Sequence, residues 1–543
     1  MKFFKKQHIS FTHILFVLGI VIIIALSAIT LFTQSIRLDE SQSVWLSLKS
    51  FDEILKLTAE DVHVPLYGVL LHYWMQILGT DIVSVRSLSF IFYILTIPVL
   101  FILSKEAVNR QVAYVTTFFF ALSPFILWYS FEARMYSLFT LVTCMAHLYF
   151  MRMVRSKGQD GKIGYYISLA IGIYTHYFFL LVILLQAIYA LTLIIQRIMH
   201  EMKESTSLTL QKLINFSSIK PHTAFKKFSM FQYIKNGFVY YKTFILSYLL
   251  IVVGALILFT PWAYYVISLG SASNTQPLIP PPSTFNLLQT FVLIMFGFQN
   301  EQIQSILVSL WPISIILLFI IFTKRKKVSF SNAEYYALAT FLPVALVFML
   351  SYIKPIFLSR YLIFVSPSLF LLLSWTLVSF SKKIRFVSIF GYTVISILLL
   401  YLQISSSQTT VKEDYSGVSK YLAAKTTPSD VIGVSSPFTV YPIEYSYNGH
   451  ARIDTIPQWN RFKQGDTIPA FSQGAFINQI QTYQKQYDQI YVVLSYDQGY
   501  EHTIRTYLDS HYSLTSSKTF ANGIIVRSYK INYDPKITLT YHE

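Results

Sequence analysis

Stretches of about twenty apolar residues recur along this chain, and no other feature narrows its fold as much. Clear runs cover 14–32, 83–103, 112–129, 136–151, 244–262, 303–322, 337–352, 361–380 and 387–402. As helices most of them come close to the thickness of a hydrocarbon layer of about 30 Å, and the shortest, of sixteen residues, reach about 24 Å. Inside lipid the backbone must satisfy its own hydrogen bonds, so runs of this kind fold as helices. The stretch 163–195 fits one long helix or a tight hairpin turning near His176. Composition agrees with a polytopic membrane protein: 54% of residues are hydrophobic and 13% charged.

Charge sets the sidedness. The net charge of +17 suggests a nucleic-acid partner until its distribution is read. Residues 410–543 hold 12 basic and 12 acidic side chains, so the whole excess lies in the apolar part. There it follows the positive-inside rule, and no nucleic-acid partner is expected. Arg152, Arg155, Lys157 and Lys162, the run 324–327, Lys382, Lys383, Arg385 and the basic loop 197–242 all belong on the cytoplasmic side. Two passes within 163–195 satisfy that, giving about eleven crossings. Lys2, Lys5 and Lys6 precede a first run of spanning length with no clear cleavage site, which reads as an uncleaved span with a cytoplasmic N-terminus.

The outer face then holds the loop 33–82, the turns 130–134 and 176–177, the segments 269–302 and 353–360, and everything after 403. Nine of the 14 acidic residues before 410 fall there, seven of them in the first loop. That loop has amphipathic stretches at 44–57 and 66–78, suited to the interface plane. Residues 410–543 have a different texture: 431–435, 490–494 and 523–527 read as buried strands, and 415–424 and 477–486 as helices. The expected architecture is a polytopic all-α module over 1–409 with an extracytoplasmic α/β domain over 410–543. The single Cys144 excludes a disulfide within the chain. The outer domain has no N-x-S/T sequon, which favours a prokaryotic cytoplasmic membrane.

Several polar residues stand where lipid meets water. Asp39 and Glu40 follow the first span, where paired carboxylates are costly unless they have a task. Asp39 there suits a base that takes a proton from an acceptor, with Glu40 orienting it or pairing with a cation; ordinary interface polarity is the alternative. Asp61, His63 and Tyr67 form a second group. The Asp-x-His spacing fits a phosphate, a sugar or a divalent metal, and this functional reading is favoured over a helix start capped by Asp61. Arg86, Arg134, Lys354 and Arg360 are outward cations, suited to phosphate or to snorkelling towards headgroups. Glu132 and Arg134 are close enough to pair within their turn. His176 and Tyr177 sit at the hairpin tip, positioned to cap a helix or to reach a substrate.

Taken together these residues resemble the GT-C glycosyltransferases, more narrowly family 39 and its relatives. Those include the dolichyl-phosphate-mannose protein mannosyltransferases and the aminoarabinose transferase of lipid A. The matching elements are Leu38-Asp39-Glu40, the run from Asp61 and His63 through Pro65, Leu66 and Tyr67, and Arg86 with Ser87, Leu88 and Ser89. Ser123-Pro124, the set Ser130, Phe131, Glu132, Arg134 and Tyr136, then Tyr174, Thr175, His176 and Tyr177, and finally Arg360-Tyr361 complete the pattern. Val64 departs from it where many relatives carry a second proline, and no paired-proline loop of the lipid A enzyme is found. The resemblance implies inverting transfer of a sugar from a polyprenyl-phosphate donor, with Asp39 as base, outward cations on the phosphate, and membrane lipid around the site. The acceptor stays open among proteins, glycans and lipids. No cofactor is required; a divalent metal on Asp61 and His63 is the one open option. The competing readings are a secondary transporter or flippase, whose ionisable groups would gather at mid-span, and a non-catalytic scaffold.

The sidedness is testable. A tag placed after Glu543 should be removed by protease added to intact cells or spheroplasts. Protection of the tag, with cleavage after lysis, would mean the number of crossings is wrong by one.

Overall fold

The structure is a computed structural model describing residues 11–61, 63–214, 236–237, 239–269, 280–310, 333–405, 413–461 and 468–532. The first part runs through α1 (Phe11–Thr33), α2 (Leu38–Ser47), α3 (Phe51–Glu60), α4 (Leu66–Leu78), α5 (Ile82–Ala107), α6 (Arg110–Leu122), α7 (Pro124–Phe131), α8 (Tyr136–Arg155), α9 (Lys162–Ile173) and α10 (Phe179–Ile214). Helices Lys242–Leu269, Thr284–Phe296, Glu301–Ser309 and Ala333–Leu350 follow. A 3-10 segment, Ser359–Val365, then leads into Ser366–Val378, and Lys382–Ser405 closes the helical part.

Among the described residues eight helices are long and apolar enough to cross a membrane, and the bent pair α6–α7 makes a ninth. The bend of 61° falls at Ser123-Pro124. Proline has no amide hydrogen for the helix ladder, and the Ser123 hydroxyl takes over locally. It accepts from the Ile126 amide and donates to the Ile294 carbonyl at 2.7 Å. The stretch 163–195 is two helices, α9 and α10, broken at 174–178. With 12 residues, α9 spans only about 18 Å. Most of 303–322, all of 324–327 and much of the basic loop 197–242 lie outside the described residues.

Three local expectations change. The stretch 44–57 is two helices, because Ser50 and Glu53 form a reciprocal capping box that starts α3 afresh. Asp61 ends α3 instead of starting a helix, and Pro65 immediately precedes α4. The outward segment 269–302 contains the apolar helix Thr284–Phe296, whose Leu293 and Ile294 are buried in the main core. At 13 residues it is below spanning length, so a search for twenty-residue runs passes over it.

The C-terminal part is a five-stranded sheet in the order β2-β1-β3-β5-β4. Its strands are β1 (Asp430–Ser435), β2 (Arg452–Ile456), β3 (Gln489–Leu494), β4 (Ser513–Thr519) and β5 (Ile525–Lys530). β1 pairs parallel with β2 and β3, while β5 is antiparallel to β3 and β4. Alternation along β1 sends Ile432 and Val434 into one apolar layer and Val431 into the other. The layer containing Tyr415, Val418 and Tyr441 continues onto Leu38 and Trp45 of α2, so this domain rests on the first loop.

One buried ion pair fixes that loop to the helical bundle. Arg86 of α5 is 0% exposed and Glu40 of α2 is 1% exposed. Arg86 Nε and Nη2 donate to Glu40 Oε1 and Oε2, both at 2.8 Å. Nη1 donates to the carbonyls of Leu31 and Gln34, and Nη2 also donates to Ser35. Glu40 further accepts from the amides of Arg37 and Ala133. Glu40 therefore pairs with a cation, one of its two expected roles, while Arg86 is not the outward phosphate ligand expected. Arg86 has its donors committed within the protein and is not placed to hold a phosphate, and Glu40 is not placed to touch a substrate. Glu40→Ala should destabilise the protein by about 3–5 kcal/mol, since it strands a buried guanidinium. A melting temperature in detergent within a degree of wild type would refute this.

Candidate active site

The first loop brings a carboxylate and three guanidinium groups together. The N-terminus of α2 turns Asp39 towards the 3-10 segment, where Arg360 Nη1 donates to Asp39 Oδ2 at 2.6 Å. The two side chains are 18% and 28% exposed, so they stay reachable from outside the protein. Arg134 enters from the turn between α7 and α8. Its Nη1 donates to the Ser43 hydroxyl at 3.2 Å, and its Nη2 lies 3.3 Å from His63 Nε2. Arg37, just before α2, donates from Nη1 to Glu132 Oε2 at 2.7 Å.

Asp61 and His63 act on this cluster through Arg134. His63 Nδ1 lies 3.0 Å from Asp61 Oδ2, and Nε2 faces the guanidinium. A neutral ring with its proton on Nδ1 satisfies both contacts: it donates to Asp61 and accepts from Arg134. This arrangement is poor for a metal, because a cation already sits against Nε2. Among the described residues no group of three or more His, Cys, Asp or Glu could hold a metal ion.

The other expected site residues divide. His63, His176, Tyr177, Lys354 and Tyr361 line one cavity of roughly 160 Å³ together with Met135 and Phe178. The His176 ring stacks on Phe139 with centroids 4.8 Å apart, and its Nδ1 accepts from the Phe178 amide. Burial pushes the His176 imidazole down to about 3, so it is neutral. The Tyr177 hydroxyl accepts from Trp262. Tyr136 begins α8 beneath the cluster. Two expectations are corrected. Tyr67 is buried, and its hydroxyl meets Ser89, which in turn donates to the Arg134 carbonyl; Tyr67 supports the site's backbone and is not exposed to a substrate. Glu132 pairs with Arg37 and not with Arg134, because the tight turn at Ala133 sends the two side chains apart.

Electrostatics mark this place as unusual. Burial alone would raise the Asp39 carboxyl. Arg360, Arg134 and Arg37 outweigh it and hold Asp39 well below the usual carboxylate range. Arg360 Nε, Arg134 Nε and the Tyr136 hydroxyl are buried and, among the described residues, have no hydrogen-bond partner. Orphaned buried donors are costly, and three of them surrounding one carboxylate form a ready-made anion site.

Two contributors were missed in the sequence. Arg37 directly precedes Leu38-Asp39-Glu40, and its outward position was a usable signal. Glu413 opens the C-terminal domain and accepts from the Leu38 amide at 2.8 Å; nothing local in the sequence marks it.

Glu132 is the group to titrate. Burial pushes its carboxyl up to about 7 from 4.5; Arg37 and Arg360 pull it down, and Asp39 and Glu40 push it further up. The folded protein therefore holds a proton on Glu132 that the unfolded chain releases between about pH 4.5 and 7. Stability should fall as pH rises through that window. Glu132→Gln should remove this slope in melting curves taken across the window. An unchanged slope in that variant would assign it elsewhere.

Known proteins share features with this chain. A family model described as dolichyl-phosphate-mannose-protein mannosyltransferase matches residues 62–221. No curated protein matches the chain. Among solved structures the chain is similar to ArnT from Cupriavidus metallidurans in the apo state, at 12% identity and a TM-score of 0.55, covering 95% of this chain and 97% of that one. It is equally similar to the same protein bound to undecaprenyl phosphate, at 12% identity and a TM-score of 0.56 with the same coverage. A bent membrane helix, a loop carrying a carboxylate among arginines and a sheet domain resting on that loop thus sit in a fold that this chain shares with ArnT over nearly the whole of both chains.

Proposed function

We propose that this protein is a membrane glycosyltransferase that moves a sugar from a polyprenyl-phosphate donor to an extracytoplasmic acceptor. The observation that carries this reading is the set of orphaned donors on Arg360, Arg134 and Tyr136 around Asp39. A phosphate is the ligand whose geometry matches forked guanidinium groups. Lys354, on the rim of the adjoining cavity, adds charge. Just before it, Met349, Tyr352 and Ile353 expose apolar surface, with Ile353 at 85%, suited to a lipid tail. Lipid-linked phosphate is the chemistry that needs both features side by side. The solved ArnT complex holds undecaprenyl phosphate, which favours the same class of donor here.

The reaction follows from these placements. The acceptor oxygen attacks the anomeric carbon while its proton passes to Asp39 Oδ. The bond from that carbon to the phosphate oxygen breaks, and polyprenyl phosphate leaves with one more negative charge. Attack opposite the leaving group inverts the anomeric centre. Arg360 and Arg134 stabilise the charge that grows on the phosphate, so little general acid is needed. Before the donor binds, Arg360 is spent on Asp39 and depresses its basicity. An arriving phosphate draws the guanidinium away and restores Asp39 as a base, so the donor binds before the acceptor is activated.

Asp39→Asn should lower turnover by 10²-fold or more while retaining donor affinity, since an amide cannot take the proton. Arg360→Ala should weaken both, and Arg360→Lys should restore only part, because an ammonium keeps the charge but not the fork. Donor affinity and turnover in nanodiscs decide the matter. Near-wild-type turnover in Asp39→Asn removes the base, and full rescue by lysine makes Arg360 a headgroup anchor.

A further inference from the structure

We infer that Glu413 is a positioning residue for Asp39: the C-terminal domain grips the first turn of α2 and so completes the active site from outside the helical bundle. This rests on the glycosyltransferase reading above and extends it to a part of the chain that reading leaves without a role.

The sheet's own topology shows where the grip is made. From β1 the chain crosses to β2 on one side, and later places β3 on the other. The carboxyl ends of β1 and β3 therefore flank a switch point, the place where open α/β sheets form a crevice for ligands. The residues just past those ends are Ser436 and Tyr496, both with left-handed backbone at φ 59° and 52°. The Ser436 hydroxyl donates to the Tyr496 carbonyl at 2.7 Å, which ties the two ends together. From this crevice the Tyr496 hydroxyl donates to Glu413 Oε1. Glu413 is 2% exposed. Its Oε2 accepts from the Leu38 amide at 2.8 Å, and its Oε1 lies 3.7 Å from Arg37 Nη2. The crevice of the outer domain is thus closed over the N-terminus of the catalytic helix.

The consequence is geometric. Leu38 and Asp39 occupy the first two positions of α2, a helix of only ten residues. A helix this short has little stability of its own, so its first turn stays where its anchors hold it. Around the same edge Ser35 and Ser416 are tied by two hydrogen bonds, and Tyr445 donates to the Thr80 carbonyl at 2.8 Å. Those contacts hold the domain down, whereas among the described residues Glu413 is the one that accepts from the Leu38 amide, next to Asp39. Loss of its carboxylate frees the Leu38 amide and one side of Arg37. The Asp39 carboxylate then drifts relative to Arg360 and the donor, and a misplacement of about 1 Å can cost about 10²-fold in rate.

The test uses full-length protein in nanodiscs with a polyprenyl-phosphate sugar donor. Glu413→Ala should lower kcat about 10- to 100-fold with KM for the donor within about twofold. Amide hydrogen exchange over residues 35–45 should speed up, with exchange in β1 and β3 unchanged. Glu413→Gln, which can still accept from Leu38 but not pair with Arg37, should recover part of kcat and most of the protection. If Glu413→Ala does not fold, Tyr496→Phe decides the matter: it removes only the hydroxyl that orients Glu413, and should lower kcat several-fold at constant donor KM. Wild-type kcat in these variants, or a loss carried by donor KM with unchanged exchange at 35–45, overturns the assignment. If the wild-type protein neither binds polyprenyl phosphate nor transfers a sugar, the glycosyltransferase reading fails, while the exchange measurement still decides whether Glu413 holds the helix.

Discussion

The pair between Arg86 and Glu40 is the interaction on which the rest depends. A guanidinium with no exposure, set near the start of a membrane helix, has to find every partner inside the protein. Arg86 finds them in Glu40 and in three carbonyls at the end of α1 and the turn after it. Those carbonyls would otherwise be orphaned where the helix stops. The same contacts therefore end α1, start α2 and bind both to α5. Glu40 also reaches the Ala133 amide, so the turn that carries Glu132 and Arg134 is set by the same carboxylate.

With that frame fixed, the site is a problem in charge balance. Arg37, Arg134 and Arg360 converge on a region that holds Asp39 and Glu132. The cations are under-paired: all three of their Nε–H groups lack a hydrogen-bond partner among the described residues, and a fourth orphan is the Tyr136 hydroxyl. Such a cluster is more stable with an additional anion than without one. Near lipid that anion has to arrive on something soluble in lipid, which makes a phosphate on a long apolar tail a more fitting ligand than a free one.

Much of this was legible in the sequence, for physical reasons that also explain what was not. Spanning helices announce themselves through uninterrupted hydrophobicity, and β1 and β3 through short buried apolar runs. Asp39, His63, Arg134 and Arg360 stood out because charge near a membrane surface is expensive. Expense alone, however, does not say what offsets it. Arg86 has the same sequence context as Arg360, an arginine opening an apolar run on the outer side. One is neutralised within the fold, and the other is left facing a carboxylate at a reachable surface. Only contacts between residues 46 or 321 positions apart distinguish them. Polar β4 and the thirteen-residue helix Thr284–Phe296 were missed because each falls below the hydrophobicity or length that its class displays.

Three successive residues show how the loop is built. The amide of Leu38 binds the C-terminal domain through Glu413, the side chain of Asp39 meets Arg360 on the 3-10 segment, and the side chain of Glu40 meets Arg86 on α5. A helical turn rotates successive residues by about 100°, so neighbours face different directions and can serve three bodies at once. The outer two contacts are nearly removed from solvent, while the middle one keeps some exposure. Anchoring on both sides lets Asp39 remain partly exposed without becoming mobile, as the proposed base must be.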